Sequence, residues 1–200
     1  MPLVGSAMAA ELVSVLTGNG FAGPDLPFFC NALGNGIVAS TVGKAFSTTD
    51  VGSGPSAGVG AGIGLTGYLA PAALSAMLAE ATLKGFILTP EASNVYDSVS
   101  QAYSNQLALA TLTSAHTPVY LGTGTVVPGS ISIPKGPTSS TIASIGVGLG
   151  MLGADYADFC DVVAAGIEAG VAALTGTVII AGPPPPTPAP ATGSGTGVIS

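Results

Sequence analysis

SVLTGNGFAGPDLPFFCNALGNGI, at residues 14–37, returns without a gap as SIGVGLGMLGADYADFCDVVAAGI at residues 144–167. Nine of the 24 paired positions are identical. The pairs that chance explains least are Asp25 with Asp155, Phe29 with Phe159 and Cys30 with Cys160. Because a recurring stretch reports on the architecture of the whole chain, repeats are sought before any other pattern. We interpret the chain as an array of repeated units.

A weaker third copy accounts for the middle of the chain. Displacing the first copy by 65 positions places Gly20-Phe21 on Gly85-Phe86. With one inserted residue, Pro24-Asp25 then falls on Pro90-Glu91. The remaining correspondences are of residue type only: Leu33 with Val99, and Cys30 with Tyr96. The predicted units are residues 1–67, 68–131 and 132–200.

Each predicted unit carries the same series of elements. A short apolar helix leads through a glycine-rich turn into a second helix, which starts at an acidic residue. A carboxylate there faces unpaired amide groups and the positive end of the helix dipole. The predicted first helices are 7–16, 72–83 and 139–149, and the second helices are 25–45, 91–111 and 155–174. We expect an α+β, mainly helical fold of three tandem helical hairpins, each followed by a short glycine-rich strand.

Glycine alternates with other residues near the end of each unit, at 58–63, 122–127 and 195–199. A period of two indicates a strand, although glycine is a weak strand former because it has no side chain to pack. The bare face of such a strand allows another backbone to approach closely. We predict short strands that pair with each other or with neighbouring subunits, and flexible loops are the alternative. A loop is predicted at 47–57 and a turn at 113–118.

The last unit also contains the proline-rich segment 182–190, GPPPPTPAP. Proline fixes φ and cannot join a helix or a ladder, so an extended spacer of about 3 Å per residue is expected. We predict that this spacer carries a C-terminal strand arm, residues 195–200, to a neighbouring subunit; a flexible tail is the alternative. The residues assigned to the arm are Gly195, Thr196, Gly197, Val198 and Ile199.

Large or sulfur-containing side chains at equivalent positions are the candidate core and interface residues. They are Phe21, Phe29, Cys30, Ile37, Phe86, Phe159, Cys160 and Ile167. The two cysteines are interpreted as buried thiols, with a disulfide as the alternative. Gly34 and Gly36 would each cost about 1 kcal/mol relative to alanine inside a helix, so they indicate a close helix crossing. Because 93–112 is the most polar region, its helix is expected to face water.

Charged residues are only 6% of this chain of 200, against about 25% in an average soluble domain. Three lysines, no arginine and a net charge of −7 argue against nucleic acid, which requires clustered basic residues. A solvated monomer usually carries mixed charge over its surface. We therefore expect copies of the chain, or partner proteins, to cover much of the surface.

A membrane protein is the competing interpretation, because residues 51–79 contain no charge. A spanning helix needs about 20 mostly apolar residues, whereas only 68–79 of this window is helical in pattern. The clustered basic residues that usually flank spans are also missing. No basic region of a signal peptide follows Met1, so synthesis in the cytoplasm is expected.

No pattern in the sequence predicts an enzyme, a cofactor or a metal site. His116, the one histidine, lacks identifiable partners for a serine triad with Ser114. Asp155, Asp158 and Asp161 lack the closer carboxylates and terminal glutamate of a calcium loop. The glycines at 58–62 lack the strand that precedes a dinucleotide-binding loop.

Three features are combined in this chain: low charge, a helix pair split by Gly-Phe-x-Gly-Pro-Asp at 20–25, and a glycine-threonine terminus at 195–199. In this combination the chain resembles small structural proteins of tailed-bacteriophage particles. The resemblance implies a virion component of the tail, neck or capsid, in a ring of three-fold or six-fold symmetry. Its partners would be itself and other virion proteins. The alternatives are a membrane-active lysis or pore protein and an extracellular filament or surface subunit.

Overall fold

The computed structural model describes residues 5–53, 58–66, 70–85, 89–116, 121–127, 129–181 and 190–199. In this part of the chain the order helix–helix–strand–strand occurs three times. The helices are α1 (Gly5–Gly18), α2 (Leu26–Thr41), α3 (Ala70–Leu83), α4 (Pro90–Leu107), α5 (Lys135–Gly148) and α6 (Tyr156–Ala172). The strands are β1 (Ala45–Ser53), β2 (Gly58–Thr66), β3 (Thr111–His116), β4 (Leu121–Val126), β5 (Gly176–Ala181) and β6 (Pro190–Ile199).

The predicted α+β class is confirmed, but each pair of helices is followed by two strands rather than one. The loop predicted at 47–57 is wrong over residues 47–53, which belong to β1, and the turn predicted at 113–118 is wrong up to His116, the end of β3. Both strands do alternate between buried and exposed positions. The alternation is hard to recognise because serine and threonine occupy several of the inward positions.

The six strands form a closed antiparallel barrel in chain order, and β6 pairs with β1 to complete it. The register of this closing pair runs from Ala45 opposite Val198 to Ser53 opposite Pro190. β6 also pairs with β5 along its other edge. The prediction of an arm that leaves its own chain is therefore wrong, because both edges of β6 are paired within the chain. Of the spacer predicted at 182–190, residues 182–189 lie outside the described residues, and Pro190 is the first residue of β6.

Large apolar side chains and glycines share the inside of the barrel. Phe46, Val126, Val178 and Ile199 are buried there, while the alternate residues are largely threonine, serine and other small side chains. An added Cβ at Gly197 would overlap the Phe46 ring, and one at Gly176 would lie 2.8 Å from the carbonyl oxygen of Val198. The bare strand face thus makes room for a phenylalanine inside a narrow barrel, as small barrels require.

The helices also form a ring, in which each helix neighbours the one before it and α1 closes on α6. The close crossing predicted at Gly34 and Gly36 is confirmed. An added Cβ at Gly34 would lie 2.7 Å from the backbone nitrogen of Ala9 in α1. One at Gly36 would lie 3.0 Å from the Met77 backbone in α3. These two glycines let α2 pack closely against both of its neighbours.

The second helices α2, α4 and α6 bury the same positions. Each has three large buried residues in this pattern: Cys30, Leu33 and Ile37 in α2; Tyr96, Val99 and Tyr103 in α4; and Cys160, Val163 and Ile167 in α6. The expectation that the polar helix at 93–112 faces water is therefore wrong.

Polar groups on α4 are tolerated inside because they form hydrogen bonds within the chain. The Tyr103 hydroxyl lies 2.6 Å from Thr41 Oγ1 of α2, and Ser98 donates to the Val95 carbonyl at 2.8 Å. Gln106 Nε2 lies 3.4 Å from Thr141 Oγ1 of α5. The bonds of Tyr103 and Gln106 connect α4 to α2 and to α5, whereas that of Ser98 stays within α4.

The barrel lies at the ends of α2, α4 and α6, not alongside the helices. In the described part of the chain, helices neighbour helices and strands neighbour strands. β1 begins four residues after α2 ends, and the amide of Ile199 donates to the Lys44 carbonyl at 3.0 Å. The turns that join α1 to α2, α3 to α4 and α5 to α6 are consequently at the opposite end of the molecule. We call that end the helix-turn end.

Three glycines with positive φ terminate the first helices: Gly20 (87°), Gly85 (74°) and Gly150 (85°). Alanine at any of them is expected to lower the free energy of unfolding by about 1 kcal/mol, because an L-residue is strained in this conformation. Space for the added methyl is open at all three. Urea unfolding of the three variants tests this, with Gly18→Ala as a control in equally open space without positive φ. An effect at only one of the three would contradict the expectation.

Candidate functional site

An apolar pocket of about 370 Å³ opens at the helix-turn end. The turn at 21–26 supplies one side, and the other side includes Phe29 of α2, Val95 of α4 and Phe159 of α6. These three residues each immediately precede the first fully buried residue of their helix. The pocket therefore lies at the helix-turn end, where the first turns of the second helices come together.

Stacked and edge-on aromatic rings form the wall of the pocket. Phe29 stacks on Tyr96 with ring centroids 5.3 Å apart, and Phe159 lies 5.9 Å from Phe29. The Phe21 ring meets Phe159 edge-on at 5.7 Å. Such pairs each contribute about 0.5–1.5 kcal/mol beyond the burial of their area. The wall is consequently a preformed aromatic surface, part of which faces the pocket.

The residues proposed from the sequence divide into two groups. The structure brings Phe21, Phe29 and Phe159 together at the pocket. Four others are fully buried in the core of the chain and so cannot contact a second subunit: Cys30, Ile37, Cys160 and Ile167. The remaining one, Phe86, lies outside the described residues. The proposed arm residues 195–199 belong to β6.

Exposed large apolar side chains accompany the pocket. Leu83, the last residue of α3, is 79% exposed, and Leu152, in the turn before α6, is 81% exposed. Val147 and Phe28 at the same end are 53% and 42% exposed. Large apolar groups exposed together are typical of interaction sites. We refer to these four side chains and the pocket as the apolar end.

Acidic residues begin the second helices at this end, as the sequence predicts. Asp25 and Asp155 occupy the N-cap positions of α2 and α6 without a side-chain capping bond. In α4 the cap is Thr89, whose hydroxyl accepts from the Ala92 amide at 3.2 Å. The pKa of the Glu91 carboxyl is lowered by a backbone hydrogen bond and by the Thr89 hydroxyl. Of these acidic residues, Asp25 lines the apolar pocket.

Both cysteines are free and buried. Burial raises the pKa of Cys30 to about 12, and it also raises the pKa of Cys160. A nucleophilic cysteine has a depressed pKa and an accessible thiolate. Neither thiol is therefore suited to covalent chemistry, and the interpretation as buried thiols is confirmed.

A thiol reagent at pH 8 is expected to label neither cysteine in the folded protein and both after denaturation. The raised pKa of Cys30 also makes folding oppose thiolate formation. Stability is therefore retained below the usual thiol pKa of about 9 and falls as pH rises from there towards about 12. The labelling is followed by absorbance, and the pH dependence by urea unfolding with Cys30→Ser as the comparison. Rapid labelling of the folded protein would contradict the expectation.

The described residues contain no cluster of metal-binding side chains. No group of three or more His, Cys, Asp or Glu side chains there could hold a metal ion. Asp161 forms an ion pair with Lys135 at 2.5 Å, and Ser114 and His116 both belong to β3. The glycines at 58–62 lie in β2, which is a strand rather than a phosphate-binding loop.

None of the described helices is both long enough and apolar enough to cross a membrane. The chain matches no protein-family model, and no match is found among curated proteins or solved structures. Function is therefore inferred from the geometry of the chain itself.

The sequence pattern identified the three phenylalanines but not the rest of the pocket. Pro24, Leu26, Ala92 and Val95 also line it. Pro24 and Leu26 flank Asp25 of the repeated motif, and this position beside a repeated residue is the sequence signal that could have identified them. Ala92 and Val95 of α4 line the pocket only because the start of α4 lies near the start of α2. No local sequence pattern predicts that proximity.

Proposed function

We propose that this protein is a non-enzymatic structural subunit that assembles by burying its apolar end against another protein surface. The observation that carries the proposal is the exposure of Leu83, Val147, Leu152 and Phe28 at the same end of the molecule as the aromatic-walled pocket. Scarce charge on the chain agrees with a surface that is covered in the assembled state. Copies of the chain are the primary partner, with other proteins of the same particle beside them.

We further infer that the chain consists of three repeats related by an approximate three-fold axis. The first helices start at residues 5, 70 and 135 and are each 14 residues long. The equal burial of the second helices and the positive-φ glycines after the first helices support the same division. Each of the units 1–67, 68–131 and 132–200 contains two helices and two strands. The middle unit, 68–131, is then a full repeat like the other two.

The particle we propose is the virion of a tailed bacteriophage, at a tail, neck or capsid position. The support is the resemblance of the sequence to such proteins, together with a ring-shaped chain of three similar units. A chain of this shape suits a site on a three-fold or six-fold axis, where it offers similar surfaces to several neighbours. The protein would be made in the host cytoplasm and act without cofactors.

Size-exclusion chromatography with light scattering, in buffer without detergent, tests the assembly proposal. We expect the natural chain to elute as species larger than a monomer, and the double variant Leu83→Ser with Leu152→Ser to elute as smaller species. Both side chains are mostly exposed, so folding should be little affected. The matched control is Leu109→Ser with Ile179→Ser, which are 68% and 64% exposed but away from the apolar end. A monomeric natural chain, or equal effects of both pairs, would reject the proposal.

A further inference from the structure

We propose that the pocket at the helix-turn end binds the proline-rich segment 182–189 of a second copy of this chain, so that molecules stack head to tail. The inference rests on the proposed function and names the partner of its apolar end. Four observations lead to it: the chemistry of the pocket, its position, the length of the β5–β6 connection and the geometry of the resulting contact.

The chemistry of the pocket suits proline. Its lining contains the Phe21, Phe29 and Phe159 rings beside Pro24 and Leu26, and Asp25 is its one charged residue. Aromatic-lined grooves are the usual receptors for proline-rich segments, because the fixed φ of proline lowers the entropy lost on binding. The segment GPPPPTPA at 182–189 is the densest run of proline in the chain and carries no charge. It therefore loses no ionic hydration on entering an apolar pocket.

The two surfaces lie at opposite ends of the molecule. The pocket is formed by the α1–α2 turn and the starts of the second helices. Residues 182–189 connect Ala181 of β5 to Pro190 of β6, which are the strand ends farthest from the helices. In β6 the helix-proximal residue is Ile199, whose amide bonds to Lys44 beside α2. The segment of one molecule therefore cannot reach its own pocket across the helix ring and the barrel.

The β5–β6 connection is also the longest of the three between paired strands of a unit. Eight residues, 182–189, join β5 to β6, whereas 54–57 and 117–120 supply four residues each. β6 extends beyond its partner, because Ala181 at the end of β5 already pairs with Ser194. This end of β6 continues along β1 as far as Ser53. The connection thus starts and ends at different levels of the barrel and has more chain than a tight turn needs.

A contact between two different surfaces at opposite ends of the same chain leaves one unoccupied surface at each end of the assembly. Each molecule would offer a pocket at one end and a proline-rich segment at the other, so addition continues in one direction. The expected product is a linear stack, which differs from the closed dimer that a two-fold contact would give. A substitution in the pocket and a substitution in the proline-rich segment should therefore each block growth of the stack.

The first test measures binding of a fluorescent peptide with the sequence of residues 181–191 to the full-length protein. We expect saturable binding that weakens at least about tenfold in Ala22→Glu, because a carboxylate would be desolvated in the apolar pocket. Leu109→Glu is the control: it places the same charge at a side chain that is 68% exposed and lies outside both the pocket and the apolar end. Its affinity should stay within about twofold of the natural chain. A peptide with serine in place of every proline should not bind.

The second test is complementation between two full-length variants, followed by light scattering. One variant carries Ala22→Glu, and the other carries serine at the five prolines between 183 and 188. We expect each variant alone to form smaller species than the natural chain does. An equal mixture of the two should form a 1:1 pair, and nothing larger than that pair. Failure to form that pair, with the peptide also unbound, would overturn the inference. If the natural chain nevertheless assembles, the proposed function survives; a monomeric natural chain rejects both.

Discussion

Gly197→Val is expected to lower the free energy of unfolding by about 3 kcal/mol or more, because it overfills the barrel. The Gly197 Cα faces inward, where an added Cβ would overlap the Phe46 ring and would also press on the Thr177 carbonyl oxygen. A backbone oxygen in a paired strand cannot move away as a flexible side chain can. The strand pair β5–β6 must separate or the ring must leave the core. Urea unfolding followed by circular dichroism measures the loss.

Two further variants identify the cause of that loss. Thr196→Val places the same side chain at the neighbouring exposed position of β6, where a change within about 0.5 kcal/mol is expected. Combining Gly197→Val with Phe46→Leu removes part of the ring and should recover some, but not all, of the stability. The two changes are in direct contact and should therefore be non-additive. Full additivity, or an unaffected Gly197→Val protein, would contradict the inward orientation.

Gly34→Ala is expected to lower the free energy of unfolding by about 2 kcal/mol, although alanine is intrinsically better in a helix by roughly 1 kcal/mol. The new methyl would lie 2.7 Å from both the Ala9 nitrogen and the Gly5 carbonyl oxygen, so α1 must move away from α2. Because both obstacles are backbone atoms, no rotamer change relieves the contact. Thermal and urea unfolding measure the effect.

The control for that crossing is Gly136→Ala near the start of α5. No atom outside its neighbours lies within 4 Å of a Cβ at Gly136. The helix propensity of alanine should therefore act alone and raise stability by about 0.5 kcal/mol. Opposite signs at the two glycines are the expected result. A gain at Gly34 as well would mean that α1 and α2 are not in close contact there.

The helices were predictable because their signals are local. Glycine after each first helix, an acidic residue at or near the start of the second, and recurring apolar positions all lie within one or two turns of the element they define. The repeat from Phe29-Cys30 to Phe159-Cys160 added independent support for two of the helix pairs. The polar composition of α4 gave the wrong exposure, because a buried hydroxyl such as that of Tyr103 has its partner in Thr41, which is distant in sequence.

The strands were only partly predictable because their inward face is unusual. Glycine alternation indicated strands at 58–63, 122–127 and 195–199, and the structure has a strand at each site. The intervening strands β1 and β3 were missed, since serine and threonine at inward positions conceal the period of two. The apolar pocket was also only partly visible, through Phe21, Phe29 and Phe159. Its other lining residues come from turns and helix starts that only folding brings together.

By itself, the sequence determined the helix pairs and the close crossings at Gly34 and Gly36. Each of these follows from residues near one another in the chain. The tertiary structure alone decided that β6 closes a barrel rather than leaving as an arm. Val198 pairs with Ala45 across most of the chain, and a strand can take any compatible edge as its partner. Its choice depends on which edge the completed helix ring brings within hydrogen-bonding distance, which local sequence does not encode.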